Sequence, residues 1–104
     1  MPEPHLVVFH RPGPRWVAGR PPFEQEGARL HAAHWRQWLE QGRLLAGGPF
    51  LDQDGGGMMI AASGIDAEAV AAFAAADPAV VAELLAFEVR PWLIGLHAWP
   101  APAS

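Results

Sequence analysis

The sequence has no cysteine, and its seven basic residues are all arginine. The missing thiol removes disulfide frameworks, thiolate zinc sites and cysteine nucleophiles together. With the lysine amine also missing, histidine and carboxylate remain for proton transfer. Basic charge is scarce as well: seven arginines face eleven acidic residues, for a net charge of −4. Without a basic cluster, the chain is a poor binder of phosphate backbones, and no nucleic-acid partner is expected. Long apolar runs are absent. The longest, 69–76, is far below the ~20 residues that cross a bilayer. Met1-Pro2-Glu3-Pro4-His5 lacks the basic and apolar regions of a signal peptide. The expectation is a cytoplasmic protein with no membrane partner.

What is present suits one small core. The chain has 104 residues and 11.2 kDa, 51% of them hydrophobic and 17% charged. This is too apolar for a disordered tail, and long enough to form a core without a structural metal. A single domain over 1–104 is expected.

Proline and glycine punctuate the chain. Residues 5–10 (HLVVFH) read as a first strand. Residues 11–23 form a long Pro/Gly/Arg-rich loop holding Trp16 and Phe23. Residues 24–41 have helical periodicity, with Ala28, His31, Trp35, Trp38 and Leu39 on one apolar stripe. Gly42 stands where a helix-stopping glycine belongs, and Gly27 is a blemish in the first turns. Residues 43–52 and 57–62 read as two strands joined by a turn at 53–56. Ser63 or Asp66 can cap a second helix running to about Ala76. Pro78 ends it, residues 78–83 can add one helical turn, and 84–98 supply a last strand. The tail 99–104 is expected to fray. The order β-α-β-β-α-β is the ferredoxin-like plan, an α+β fold with a four-stranded antiparallel sheet and two helices on one face. The other face would be left apolar. A homodimer packed sheet against sheet is the economical cover.

His31 is the first candidate for chemistry. It lies mid-stripe beside Trp35 and Trp38, where an imidazole needs a polar partner. A backbone carbonyl would satisfy it without any function. Asp77 is the second. A carboxylate at a helix C-terminus meets the negative end of the macrodipole. Asp77 can also N-cap the turn beginning at Pro78. The two helices share one face of the sheet, so His31 and Asp77 can converge. A carboxylate on one imidazole nitrogen makes the other a better base. His34 lies one turn from His31, but no third ligand is evident, so no metal is expected. Gly55-Gly56-Gly57 sits in a hairpin, not between a strand and a helix, and reads as a turn. Ser63 reads as a cap. Trp16 and Trp35 are candidates to line a pocket. Arg90, on one face of the last strand, is an ion-pair partner or a ligand anchor.

Several segments, in order, resemble the YciI-like (YCII-related domain) family. They are His31 to Gly42 with Arg43-Leu44-Leu45, Gly47-Gly48-Pro49-Phe50, Asp54 to Met59, Ala75-Ala76-Asp77-Pro78 and Glu88-Val89-Arg90-Pro91-Trp92. The resemblance covers about residues 24–95. It implies a ferredoxin-like fold in a dimeric α+β barrel and an active site centred on His31 and Asp77, with no cofactor. A relative of that family is a dehydrochlorinase of a chlorinated hydroxyhydroquinone. Related barrels include lactone isomerases and cofactor-free monooxygenases. The 11–23 loop departs from the shorter members and would reshape any pocket.

The leading expectation is an enzyme that uses His31 and Asp77 for elimination, isomerisation or lactone opening on a small cyclic or aromatic ligand. Trp16, Trp35, His34 and Arg90 are its candidate substrate contacts. The alternative is a dimeric barrel that binds a small ligand without turnover.

Overall fold

A computed structural model describes residues 3–52 and 55–99. Residues 53–54 of the expected turn and 100–104 of the expected frayed tail lie outside the described residues.

The first strand, β1, spans Pro4–Pro12. Its β-branched and aromatic residues alternate between two faces, as a pleated strand requires. Leu6 and Val8 pack into the main core, whereas Val7 and Phe9 pack on the opposite face. A 3₁₀ turn at Pro22–Glu24 precedes α1, which spans Ala28–Glu40. The helix is shorter than the expected 24–41 because Gly27 is its N-cap, with φ 93. A left-handed residue cannot sit inside a right-handed helix, so Gly27 marks the boundary and is no internal blemish. At the other end Gly42 N–H donates to the Leu39 carbonyl at 3.2 Å, and Arg43 N–H to that of Trp38 at 2.8 Å. This paired closure is the expected glycine stop.

Strands β2 (Leu44–Pro49) and β3 (Gly57–Ala61) form the hairpin. β2 stops short of the expected residue 52, because pairing ends where Pro49 meets Gly57. Phe50 N–H then closes the turn on the Gly56 carbonyl at 2.8 Å. Helix α2 (Ala67–Ala75) is capped by Asp66, which accepts from Ala69 N–H at 2.7 Å. Asp77 caps the short α3 (Pro78–Val81), with Pro78 in the first turn. Strand β4 spans Leu85–Leu93 and not 84–98. Its Leu93 pairs with Pro4 at the start of β1, and beyond that residue the partner strand has run out.

All strand pairs are antiparallel, in the order β2-β3-β1-β4. This is the ferredoxin-like α+β architecture, with α3 as one extra turn. The core between helices and sheet holds Val8, Trp35, Trp38, Met59, Val70 and Ala74. Phe73 of α2 stacks on Trp38 at 4.1 Å and meets Trp35 edge-on at 5.0 Å. Truncating such a buried indole typically costs about 3–5 kcal/mol, so the aromatic trio fixes α1 against α2. On the far face Ile94 packs with Val7 and Ile60. Among the described residues no helix is long and apolar enough to cross a membrane.

Candidate active site

His31 is carried by the middle of α1 and Asp77 by the junction of α2 and α3. Packing of both helices on one sheet face brings them together across 46 positions of sequence, with His31 Nδ1 and Asp77 Oδ2 at 2.5 Å. The carboxylate accepts, so Nδ1 carries the proton and the lone pair of the neutral ring is on Nε2. Trp35, one turn after His31, donates its indole N–H to the same Oδ2 at 3.0 Å. The other oxygen, Oδ1, accepts from Ala79 N–H at 2.9 Å. Asp77 is thus fully buried, caps α3 and holds His31 at once. Burial pushes its carboxyl pKa up. The hydrogen bond and charge of His31, with the Ala79 and Trp35 hydrogen bonds, outweigh that and leave it below the usual range. The carboxylate therefore stays charged at neutral pH.

The sequence reading missed His10. It follows Leu6 and Val8 on the inward-facing row of β1 and is only 4% exposed. Its ring stands edge-on to His31 at 4.9 Å and to Trp35 at 5.8 Å. Neither ring nitrogen has a hydrogen-bond partner. Burial, followed by the charge of His31, lowers its pKa from 6.5 to about 4, although Asp77 pulls the other way. The available signal was period two: His10 stands two residues after the core-facing Val8, so the helices had to cover it.

One wall of a cavity of about 490 Å³ is a stripe of α1: Ala28, His31, Ala32, Trp35, Arg36 and Leu39. His10 also lines it, as do Trp16, Pro22 and Phe23 from the long loop and turn, and residues 46–49 of β2. The loop is pinned by Gln25, whose buried carboxamide accepts from Val17 N–H and donates to the Val17 and Arg20 carbonyls. Apart from the two histidines and Arg36, the lining is apolar, as small-molecule pockets generally are. Arg36 is the one arginine of the described lining. It lies at the edge of the stripe and brings the cavity its one formal charge among the described lining residues.

Two candidate contacts lie elsewhere. His34 projects to the α2 side of α1, stacks on Phe73 at 4.0 Å and donates Nε2–H to the Phe73 carbonyl at 2.7 Å. Its polar atom is spent tying two helices together. Arg90 pairs with Val7 and shares its face of the sheet, away from the helices. There it borders a shallow depression with Phe9, Pro91 and Trp92. An odd step along β4 from the core-facing Val89 puts it on that side.

His10, His31 and Asp77 offer one ligand atom each within 4.8 Å of one another. As a metal set they fit poorly. Both Asp77 oxygens already accept N–H donors, and His31 Nδ1 is committed to one of them. Two imidazole rings remain to offer one nitrogen each, fewer than the three protein ligands usual for zinc.

Compared with known families, the chain matches the family model described as the YCII-related domain over residues 12–93. Among curated proteins none matches, and among solved structures none matches.

Proposed function

The chain belongs to the family of the YCII-related domain, and from that premise we propose that it is an enzyme of proton transfer on a compact cyclic or aromatic metabolite. His31 is its general base and acid, and Asp77 orients and stabilises it. One observation carries the reading: His31 donates Nδ1–H to a buried carboxylate while its ring lines an apolar cavity. That arrangement leaves Nε2 with the lone pair.

In the proposed step Nε2 takes a proton from a substrate carbon. The C–H bond breaks, an N–H bond forms, and the electron pair moves into a new C=C bond or onto an adjacent oxygen. The proton then returns at another atom, giving isomerisation, or a leaving group departs with an electron pair, giving elimination. The charged Asp77 stabilises the imidazolium between those events. Positioned bases of this kind contribute ~10²–10⁴-fold. Trp16 and Trp35 supply flat apolar walls for a ring. No cofactor enters this scheme.

The test is a panel of cyclic ketones, lactones and halogenated hydroquinones in D2O, followed by NMR for deuterium uptake, ring opening or halide loss. Wild type is expected to turn over at least one class. His31→Ala and Asp77→Asn should each lose about a hundredfold or more of that rate. If panel members bind yet none is turned over, and His31→Ala binds them equally, the chain is a ligand-binding module and the enzyme reading fails.

We also propose that two copies pair through the sheet face that carries Phe9, Arg90 and Trp92. Trp92 is 41% exposed there, and an indole on an open sheet face is better covered than wet.

A further inference from the structure

We propose that His10 is a second substrate-contacting residue of this cavity, whose ring N–H donates a hydrogen bond to a carbonyl-type oxygen on the molecule that His31 deprotonates. The inference rests on the proposed site, but not on turnover by it. It gives the ligand a class: a compact, mostly apolar ring compound with an acceptor oxygen beside the reacting carbon.

Three observations carry it. The first is that both His10 nitrogens are buried without a partner. A buried imidazole must donate and accept somewhere, and native proteins seldom leave such groups unpaired without a use for them. His34, by contrast, has spent its polar atom on Phe73. The second is position. His10 lines the cavity, and its ring lies 4.9 Å edge-on from that of His31. An oxygen held by one ring therefore belongs to the same small molecule as a carbon reached by the other. The third is the poverty of the rest of the lining. Besides the two histidines and Arg36 at the edge, the wall is aromatic, aliphatic, glycine or proline. Among the described residues, His10 is the buried side chain of this wall whose polar atoms have no partner.

The chemistry is consistent with this division of labour. When His31 removes a proton beside a carbonyl, negative charge develops on the carbonyl oxygen, and a preorganised donor in a dry site stabilises it. The donor must keep its own proton. Burial and the charge of His31 hold the His10 imidazole neutral, so it offers an N–H without passing a proton on. His10 also lies before residue 12, where the family match begins, so the match assigns it no role.

The experiment compares two near-isosteric probes, acetophenone and α-methylstyrene, which differ by C=O against C=CH2. The carbonyl only accepts hydrogen bonds, so the lone pair on His31 Nε2 cannot favour it. Wild type is expected to bind acetophenone about tenfold more tightly, the worth of one hydrogen bond in a dry site. His10→Leu should abolish that preference, and His10→Gln, which keeps an N–H, should retain part of it. His31→Ala should retain it while losing turnover, so failure of the base and failure of His10 read separately. Thermal melts check that each variant folds, and His10→Leu should melt no lower than wild type because it removes unpaired polar atoms. In 15N-histidine spectra the protonated nitrogen of His10 should move on adding acetophenone. A wild type without preference, or a His10→Leu variant that keeps it, overturns the proposal. So does a His10 resonance that ignores acetophenone, which would mean that the ring holds only water.

Discussion

Asp77 accepts three hydrogen bonds on two oxygens, from the indole of Trp35, the imidazole of His31 and the amide of Ala79. Capping α3 and holding His31 are compatible because a carboxylate has about four acceptor positions. A few ångströms away His10 has no partner at all, and the contrast fixes how the protein responds to acid. The folded chain holds His10 to a pKa of about 4, whereas an unfolded one protonates near 6.5. The unfolded state therefore binds more protons through that window. Stability is full above pH 6.5 and falls as the pH drops towards 4, by about 3 kcal/mol at the end. Asp77, whose pKa lies below its usual 3.8, adds a further loss only below that value. Urea unfolding at pH 7 and pH 4.5 should show wild type losing about 2–3 kcal/mol. His10→Leu should lose much less, and equal losses in both proteins would contradict this account.

Among the elements, the β2–β3 hairpin does more than close the sheet. Gly56 has φ 78, and a Cβ there would lie 2.2 Å from the His10 carbonyl oxygen. Only glycine lets the turn cross so close over the backbone that presents His10. Gly56→Ala combines a left-handed alanine with a backbone clash that no rotamer relieves. We expect it to destabilise the fold by about 2–3 kcal/mol, read from chemical denaturation, and to weaken binding of cavity probes. A change within 0.5 kcal/mol or so, the range of ordinary surface substitutions, would show that the turn has room to shift. Gly57 of the glycine triplet opens β3, and the turn at Gly55-Gly56 was legible from its place between strands. What it approaches was not, since Gly56 and His10 are distant in sequence and meet only through β1–β3 pairing. The same limit applies to α1. Its periodicity was plain, yet the stripe divides between core and cavity, with Trp35 touching both and Leu39 48% exposed.

At the scale of the whole molecule, one face of the sheet carries no helix. The chain's own Ile94 packs against Val7 and Ile60 there, so the face is smaller than a bare four-stranded sheet would leave. Trp92 remains beside Phe9 and Arg90. If two copies meet on it, light scattering at micromolar concentration should give twice 11.2 kDa. Trp92→Asp should halve that mass while the folded far-UV signal persists, because a buried unpaired charge opposes association. Wild type at the single-chain mass would exclude the pairing. The cavity lies on the helix side of β1 and this face on the other. Substitutions at Trp92 and at His31 therefore test the proposed pairing and the proposed activity separately.

Residue order and type alone determined the β-α-β-β-α-β succession, the Gly42 stop and the place of His31 on its helix, and narrowed the α2 cap to Ser63 or Asp66. These follow from local periodicity and from backbone groups that neighbouring residues must satisfy. Strand ends were missed at β1, β2 and β4, because a strand ends where its partner ends and that partner is remote in sequence. Tertiary structure decided the rest. It set Asp77 against His31, took His34 away to Phe73, turned Arg90 to the opposite face and brought the unremarked His10 into the cavity. Each of these depends on which side chains the packed helix and sheet layers bring within hydrogen-bonding reach, and one-dimensional spacing does not encode that distance.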